Sequence, residues 1–454
     1  MFGIYRRIKV FSKQYSDNHM RVLWFTNTPS CYTPKKGAGK NVGYNGGGWI
    51  SSAEKAIRAN NNIKLAVAFV LSGQPERSEQ HGTIYYPIKN LNAQKLSKLK
   101  NGLKFLFMKP ECYENAIWPY YTNEFMRIIK DFKPDIIQVW GSEFRYGLAW
   151  KVTDIPVILH LQGILNPYLN AYNPPGISWK DILRRQNGFV EKLNVWRSLK
   201  VWQGGCYREK EIFKGIKAVL GRTEWDKRVA FCLNPKAIYF HVDEILREPF
   251  YQPSTHLLPN KLTIVTTISL SPYKGYDMVL KTARLLKENL NMEFEWDCYG
   301  NIHPVLVEKI VGINHQDVCV NLKGVASSEQ LRQAVLSATL YFHPSYMDNS
   351  PNSICEAQIL GATIVATNVG GISSLVSDGE DGFLFPANDP YQAAYLIKEL
   401  YENPVMNMAM GNKGKAKALR RHNPKVIVEQ MVQAYKAILS TERTSKESPS
   451  YEYQ

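Results

Sequence analysis

Short runs of apolar, β-branched residues alternate with helical patterns through most of the chain. This alternation is typical of parallel sheets whose strands are joined by crossover helices. In the first half it predicts strands at residues 21–27, 63–71, 135–140, 156–161 and 218–220. In the second half it predicts a separate set at residues 261–268, 293–299, 318–322, 340–343, 363–366 and 382–385. Each half is therefore predicted to be a doubly wound α/β domain.

The organisation of the chain follows from the segments between these runs. Helical patterns in the second half lie at residues 276–289, 328–337, 353–360, 372–376 and 390–403. Residues 248–259 contain three prolines and little periodicity, which predicts a linker between the domains. We expect one domain at residues 1–250 and a second at 251–440, facing each other across a cleft. The polar end, residues 441–454, is predicted to be a disordered tail.

Charge is distributed unevenly between the two halves. The 454 residues carry a formal net charge of +16. Residues 1–250 hold 38 Lys and Arg against 20 Asp and Glu, whereas residues 251–454 hold 18 against 20. A basic half is expected to meet an anionic partner, and on charge alone a lipid surface, a nucleic acid or a sugar phosphate would fit.

Composition narrows the class of protein. The apolar runs are shorter than the ~18 residues that a membrane-spanning helix needs, and the first 20 residues lack the apolar core of a secretory signal. The seven cysteines are scattered without a Cys-x-x-Cys pair, which argues against a disulfide framework and a structural zinc site. We therefore expect a cytoplasmic protein with reduced thiols.

The segment with the most candidate binding and catalytic residues is 345–357, which lies between a predicted strand and a predicted helix. Asp348 in the loop and Glu356 on the helix can line one pocket at the carboxyl edge of the sheet, where open α/β folds bind ligands. The backbone N–H groups of Asn352 and Ser353 would begin that helix and suit a phosphate. The alternative is that Asp348 is a turn residue and Glu356 a solvated helix residue.

This segment, together with residues 269–275, 363–371 and 376–383, resembles the donor-binding half of the retaining family 4 glycosyltransferases of GT-B fold. The family's Glu-x7-Glu pair is matched in spacing by Asp348 and Glu356, with Asp in the first position. The resemblance covers roughly residues 260–405. It implies two Rossmann-like domains and a nucleotide-diphosphate-sugar donor.

The resemblance also implies roles for individual residues. Lys274 would contact the donor diphosphate, Glu356 the ribose hydroxyls and Asp348 the transferred sugar. The family usually supplies an Arg as well as this Lys, but Ser269 occupies the matching position here. A cation near the leaving diphosphate makes physical sense, because negative charge develops there in the transition state. A solvated loop lysine is the alternative for Lys274.

The first half contains a glycine cluster that resembles the family's glycine loop at the cleft, which implies donor binding, and two strand ends that resemble those facing the acceptor. Gly46, Gly47 and Gly48 would let backbone amides approach a phosphate, although a plain flexible turn has the same composition. His160 and Gln162 are two apart and would share one face of a continuing strand, which makes both catalytic candidates. A buried core histidine is the alternative for His160.

Three further residues are acceptor-side candidates through the same resemblance. Glu143 follows a predicted strand, and Arg222 and Glu244 lie in segments similar to those of enzymes that build bacterial surface polysaccharides. For Arg222 and Glu244, structural residues joined by a salt bridge beside the linker are the alternative.

Cations are interleaved with Phe189, Trp196 and Trp202 between residues 179 and 214. This pattern favours the interface of an anionic membrane, although a solvated pair of amphipathic helices has the same pattern. The protein would then be peripheral on the inner face of the cytoplasmic membrane.

The sequence therefore predicts a retaining glycosyltransferase for polysaccharide assembly, acting on a saccharide or a polyprenyl-diphosphate-linked acceptor. We expect no cofactor and no metal, because the chain contains no Asp-x-Asp motif. A sugar-nucleotide epimerase or a phosphorylase with the same two-domain shell is the alternative enzyme. The alternative of another class is a basic nucleic-acid-binding protein, which rests on charge alone.

Overall fold

Two parallel sheets organise the computed structural model, which describes residues 19–33, 48–71, 76–90, 109–186 and 188–447. The first sheet has eight strands and the second has six. Each sheet is covered by helices, as the alternating sequence pattern predicts. The α/β class and the two-domain arrangement are confirmed.

The first sheet has the order β3-β4-β2-β1-β5-β6-β7-β8. All neighbours pair in parallel except β3 and β4, which form an antiparallel edge. Its strands are β1 (Met20–Thr26), β2 (Ile63–Leu71), β3 (Ser78–Gln80), β4 (Thr83–Lys89), β5 (Ile136–Trp140), β6 (Val157–His160), β7 (Ala218–Gly221) and β8 (Ile238–His241).

The second sheet has the order β11-β10-β9-β12-β13-β14, and all its neighbours pair in parallel. Its strands are β9 (Leu262–Thr267), β10 (Phe294–Tyr299), β11 (Val320–Gly324), β12 (Leu340–His343), β13 (Ile364–Thr367) and β14 (Gly382–Phe385). The chain order reverses between β9 and β12. Ligands of open α/β sheets bind in the crevice at such a switch point.

Helices connect the strands and cover both faces of each sheet. In the first part of the chain they are α1 (Gly48–Arg58), α2 (Pro110–Phe132), α3 (Leu165–Asn170), α4 (Trp179–Arg184), α5 (Phe189–Phe213) and α6 (Glu224–Leu233). In the second part they are α7 (Tyr276–Arg284), α8 (Pro304–Val311), α9 (Ser328–Leu336), α10 (Asn352–Leu360), α11 (Pro390–Glu402), α12 (Pro404–Arg421) and α13 (Pro424–Glu447). None of the described helices is both long and apolar enough to cross a bilayer.

All eleven predicted strands are present, whereas β3, β4 and β8 were missed. The strand β4 is almost wholly buried but contains Pro87, a residue that weakens a sequence-based strand prediction. The strand β8 is a short edge strand of four residues and is partly exposed. The predicted helix at residues 372–376 is a single 3-10 turn, Ile372–Ser374.

The last helix corrects two predictions about the end of the chain. Residues 441–447, expected in a disordered tail, continue α13, and residues 448–454 lie outside the described residues. The predicted second domain ran to residue 440, but α13 packs on the first sheet. Ile427, Met431 and Tyr435 belong to the buried cluster that contains Trp24 of β1. The chain therefore crosses between the domains twice.

The first crossing occurs where the prolines predict the linker, and it is packed against the second domain. Leu246 and Phe250 are buried in the same cluster as α9 and α10. The Tyr251 hydroxyl accepts a hydrogen bond from the Leu246 N–H (3.0 Å) and donates one to the His422 carbonyl (2.7 Å), which joins the two crossings. The linker is thus a fixed connection and not a free spacer.

A buried hydrogen-bond chain holds α13 on the first sheet and provides a test of this placement. The Trp24 indole N–H donates to the Tyr435 hydroxyl (3.1 Å), which itself donates to the Gln138 side chain. Tyr435→Phe should lower the free energy of unfolding by about 1–3 kcal/mol in urea titrations, because it leaves both buried partners unsatisfied. Tyr401→Phe is the control, since the Tyr401 hydroxyl makes one exposed bond to the Asn260 carbonyl. Equal effects of the two variants would contradict the placement.

Candidate functional site

The switch point of the second sheet holds a lysine and a carboxylate in direct contact. Lys274 ends a 3-10 turn after β9, and Asp348 lies in the loop after β12. Their Nζ and Oδ2 atoms are 2.6 Å apart. Gly275 makes this approach possible, because its φ of +78° and its close contact with the Pro344 carbonyl leave no room for a Cβ. The structure thus brings these two predicted residues into direct contact.

Asp348 is buried, with 5% of its surface exposed, yet it has several donors besides Lys274. Its Oδ2 lies 3.1 Å from His343 Nε2 and accepts from Ser345 Oγ (3.2 Å), and its Oδ1 accepts from the Tyr168 hydroxyl (3.4 Å). Burial alone would raise the pKa of Asp348, but the Lys274 charge and these hydrogen bonds hold it well below the usual range. Asp348 is therefore a permanent anion whose oxygens are occupied.

Glu356 on α10 forms a second ion pair, with Arg247 from the linker. Arg247 Nε and Nη2 donate to the two carboxylate oxygens of Glu356, each at 2.6 Å. Burial raises the pKa of Glu356 above its usual value, although the guanidinium opposes that rise. The residue that the resemblance assigns to the ribose is thus engaged by a cation that the sequence analysis did not single out.

The first turn of α10 has backbone donors available for a ligand. The N-cap position is Pro351, and no side chain caps the helix. Asn352 and Ser353 are the first two helical residues, as predicted, and the Ser353 side chain bonds to Tyr341. Among the described residues, nothing bonds to the buried Asn352 Oδ1 atom. The helix dipole and the free N–H groups favour an anion at this place.

The loop that carries Asp348 also contacts the first domain. The Asn349 side chain donates to the Gln162 carbonyl (3.0 Å) and to Asp226 Oδ2 (3.0 Å), and it accepts from Thr223 Oγ1 (2.8 Å). Its backbone N–H donates to the Tyr168 hydroxyl at 3.0 Å. The carboxyl edges of the two sheets therefore face each other and meet at this loop.

Arg222 and Glu244 form a buried ion pair beside the same loop, with 2.6 Å between Nη1 and Oε2. The Arg222 guanidinium also donates to the Ser350 carbonyl (3.3 Å) and to the Gln162 carbonyl (3.4 Å). The structure brings both predicted residues to the cleft, where they join the two domains. Removing one partner of such a pair would leave an uncompensated buried charge.

His160 does not face the cleft, which corrects its proposed catalytic role. Its ring is fully buried, stacks on Trp140 at 4.4 Å and lies 3.2 Å from the Val242 carbonyl. Burial, with the charge of Arg222, lowers the pKa of His160 to about 3, so the ring is neutral. The strand β6 ends at His160, so the two-residue alternation that would align it with Gln162 does not continue.

Glu143 lies after β5 on the cleft side of the first sheet, as predicted. Its Oε1 accepts from the Gly163 N–H (2.9 Å), whereas its buried Oε2 has no hydrogen-bond partner among the described residues. Burial raises the pKa of Glu143 to about 7, although the Gly163 hydrogen bond opposes the rise. An acid with such a pKa exchanges protons near neutral pH.

The remaining candidates lie at the rim of the site. Gly48 is the first residue of α1, and Gly46 and Gly47 lie outside the described residues. Ser269 is exposed after β9, so no cation occupies the position where the resemblance expects an arginine. The described part of the chain holds no cluster of three or more His, Cys, Asp or Glu side chains able to bind a metal ion.

Comparison with known proteins agrees with this geometry. Residues 249–417 match the family described as Glycosyl transferases group 1. The matched residues span the second sheet and the helices around it. An uncharacterized glycosyltransferase of Haemophilus influenzae is 27% identical over 54% of this chain and 70% of its own length. The amylovoran biosynthesis glycosyltransferase AmsK of Erwinia amylovora is 23% identical over 41% and 46%.

The whole architecture has solved counterparts. The structure of HepE from Anabaena in complex with UDP and glucose superimposes with a TM-score of 0.60 over 92% of this chain and 100% of its own. At 14% sequence identity this similarity concerns the fold, which is GT-B. Lys274, Asp348 and Glu356 lie inside the group 1 domain, whereas Glu143 and Tyr168 come from the other domain.

Four residues that hold the candidate site in place escaped the sequence analysis: Tyr168, Glu209, Arg247 and Asn349. Glu209 on α5 is fully buried and accepts from the N–H groups of Leu165 (2.8 Å) and Asn166 (2.9 Å). It thereby fixes the start of α3, the helix that carries Tyr168. No local signal marks Glu209, because it stands between Arg208 and Lys210 in the sequence and its contact with Leu165 is 44 residues away.

The shifted pKa of Glu143 predicts a pH-dependent stability. The folded chain holds a proton on Glu143 up to about pH 7, whereas the unfolded chain loses it near the ordinary value of 4.5. The stability that this proton contributes is therefore complete below pH 4.5 and is lost as the pH rises to 7, by roughly 3 kcal/mol in total. Glu143→Gln, which keeps a neutral group, should gain stability relative to the wild type over that window.

Thermal and urea unfolding at pH 4.5, 6, 7 and 8 would measure this difference. The gap between Glu143→Gln and the wild type should widen up to pH 7 and stay constant above it. Glu111→Gln, at an exposed position on α2, is the control and should give a gap that does not change with pH. A constant gap for Glu143→Gln would show that Glu143 is already ionised at low pH.

Proposed function

We propose that this protein is a retaining glycosyltransferase that moves a sugar from a nucleotide-diphosphate-sugar to a saccharide or polyprenyl-diphosphate-linked acceptor. The observation that supports this most is the arrangement at the switch point of the second sheet. A lysine, two carboxylates and an uncapped helix start lie together, opposite a carboxyl group of the first domain. This set suits a ligand that combines ribose, diphosphate and sugar.

The donor diphosphate would lie between Lys274 and the start of α10. Negative charge grows on it as the glycosidic bond breaks, and preorganised donors stabilise that charge without reorganising. Asp348 holds the Lys274 ammonium in place, and the N–H groups of Asn352 and Ser353 supply further donors. No step of this proposal requires a metal ion or another cofactor.

The acceptor would enter from the first domain. Gln162 cannot act as a base at neutral pH, and a retaining reaction on one face of the sugar lets the leaving phosphate accept the acceptor's proton. Glu143, with a pKa raised by burial to about 7 and an unpartnered Oε2, is placed to hydrogen-bond an acceptor hydroxyl. Glu143 would thus orient the acceptor and not the donor.

The pathway and the donor are proposed from the relatives. AmsK is named for amylovoran biosynthesis, and the HepE structure contains UDP and glucose. We therefore propose a role in capsule, O-antigen or exopolysaccharide assembly and UDP-sugars as the first donors to test. An epimerase of the same fold would change the donor sugar without an acceptor, which a donor-only incubation detects. A nucleic-acid-binding protein would bind arbitrary DNA in a salt-sensitive manner.

Lys274→Ala should lower turnover on the order of 10²- to 10³-fold, because it removes a charge that stabilises the leaving diphosphate. Lys281→Ala is the matched control, since Lys281 forms an ion pair of 2.8 Å with Asp277 on α7. Transfer from a UDP-sugar to a saccharide acceptor would be measured in EDTA, with the anomeric configuration of the product determined by NMR. Inversion, loss of wild-type activity in EDTA, or equal effects of the two variants would each contradict the proposal.

We also propose that the first domain docks on an anionic membrane through the first half of α5. Phe189 and Trp196 on α5 have 74% and 48% of their surfaces exposed, beside Lys192, Arg197 and Lys200. Residues seven and eleven positions apart share a helix face, so Phe189, Trp196 and Lys200 lie on one side. Exposed aromatic groups among cations suit a lipid interface.

The structure narrows the aromatic surface that the sequence analysis assigned to this membrane contact. Trp202 packs against Tyr172 and Tyr273, with ring centroids 4.9 and 6.0 Å apart, and is not part of the exposed face. Arg185 donates to the Lys309 carbonyl of the second domain at 2.6 Å. The docking face is therefore limited to the first half of α5.

Reversing Lys192, Arg197 and Lys200 to Glu should abolish binding to vesicles of phosphatidylglycerol in co-sedimentation. Each cation near an anionic surface contributes about 1 kcal/mol, and salt should weaken wild-type binding in the same direction. The control reverses Lys64, Lys130 and Lys236, three exposed lysines elsewhere on the same domain. Salt-independent wild-type binding, or equal losses in both triple variants, would contradict the membrane proposal.

A further inference from the structure

Arg247 lies beside the candidate site, although no sequence motif gives it a role there. It is the last linker residue before the 3-10 turn Glu248–Tyr251, and its side chain has 18% of its surface exposed. Its Nε and Nη2 pair with both oxygens of Glu356, and its Nη1 donates to Ser328 Oγ at 3.4 Å. The guanidinium therefore lies at the carboxyl edge of the second sheet, between α9 and α10.

The stem of the same side chain contacts the first domain. A Cβ built on Gly48, the first residue of α1, would lie 3.1 Å from Arg247 Cγ and 3.2 Å from Cδ. A side chain at position 48 would therefore be tight against the arginine stem, which would have to shift by a few tenths of an ångström. Arg247 thus fills the space between the glycine segment of one domain and the ribose-side carboxylate of the other.

Arg247 and Lys274 are near the same polar group. The Tyr341 hydroxyl bonds to Thr267 Oγ1 (2.5 Å) and to the Ser353 side chain at the start of α10. Burial alone would lower the pKa of both cations, but pairing with a carboxylate, Asp348 for Lys274 and Glu356 for Arg247, raises each above its usual value, and both cations lie within electrostatic range of the Tyr341 side chain. Both cations therefore border the region where the uncapped N–H groups of α10 begin.

We propose that Arg247 is the second cation for the donor diphosphate, in place of the arginine missing at Ser269. The proposal rests on the proposed function, because it requires a nucleoside-diphosphate donor at this site. In the free protein, Glu356 keeps the guanidinium paired. When the ribose hydroxyls bind Glu356, they replace the guanidinium as its donors, and Arg247 becomes available to a phosphate oxygen beside Lys274.

This exchange keeps every charged group hydrogen-bonded. An arginine is suited to it, because its planar fork bonds a carboxylate or a phosphate in the same bidentate manner. Lys274 is paired with Asp348 and Arg222 with Glu244, so a doubly charged diphosphate would otherwise meet cations that are already neutralised. Arg247 lies on the linker and contacts both domains, so its use by the donor would also connect donor binding to the domain interface.

Calorimetric titration of the full chain with UDP and with uridine separates charge recognition from ribose and base recognition. Arg247→Gln should lose UDP affinity on the order of 10- to 100-fold, the value of hydrogen bonds to a charged group, and should bind uridine at least as tightly as the wild type, because no guanidinium has to leave Glu356. Arg247→Lys, which keeps the charge, should retain most of the preference for UDP. Unfolding curves would verify that each variant is folded.

Arg332→Gln is the matched control, since Arg332 is a buried arginine that pairs with Glu329 and bonds to the linker carbonyls of Gln252 and Pro253. It should leave the ratio of UDP to uridine affinity unchanged. Equal losses for UDP and uridine in Arg247→Gln, or equal UDP affinity in the Lys and Gln variants, would overturn the assignment of Arg247 alone. If the wild type binds neither UDP, GDP nor ADP, the proposed function itself fails and this assignment with it.

Discussion

The loop that follows β12 is the element on which the rest of the site depends, because both domains hold it. Its Asp348 is bonded by Lys274 from one domain and by Tyr168 from the other. Its Asn349 bonds Thr223 and the Gln162 carbonyl across the cleft. A displacement of either domain would therefore move Asp348, so under the proposed function the first domain would help to set the geometry of donor binding. This is a physical reason for both halves of a GT-B fold to be needed for one reaction.

The support for that loop extends well beyond the residues in contact with it. Glu209 fixes the start of α3, and α3 presents Tyr168 to the loop. In the segment after β13, Gly371 donates its N–H to the Asp348 carbonyl at 3.0 Å, and the Asp348 backbone leaves no space for a Cβ at Gly370. The linker and α13 then join the two domains at a second place, away from the cleft. Loop, linker and last helix together restrict the relative position of the domains.

Much of the fold and part of the site could be predicted from local sequence patterns. Apolar runs located the strands of both sheets, and the spacing of Asp348 and Glu356 located the donor-side pocket. Local patterns do not show which side chains will bond to each other when they are far apart in the sequence. Tyr168 and Asp348 are 180 residues apart, and Arg247 and Glu356 are 109 apart. An amphipathic helix such as α13 likewise shows that one face is buried but not which sheet covers it. His160 was misjudged because alternation holds only while a strand continues, and β6 ends at that residue.

The state of the carboxylates in the free protein suggests how the site avoids a large desolvation cost when a donor binds. Taking a charge out of water is expensive unless new partners replace the lost hydration. Here Asp348 and Glu356 are already 95% or more buried and already bonded to cations, so their hydration is lost during folding and not during binding. In the proposed exchange, the ribose hydroxyls of the donor replace the Arg247 guanidinium at Glu356, and the donor phosphate then bonds that guanidinium. One set of hydrogen bonds is thereby exchanged for another. The energy of binding is thereby available for positioning the leaving group, which is where a transferase needs it.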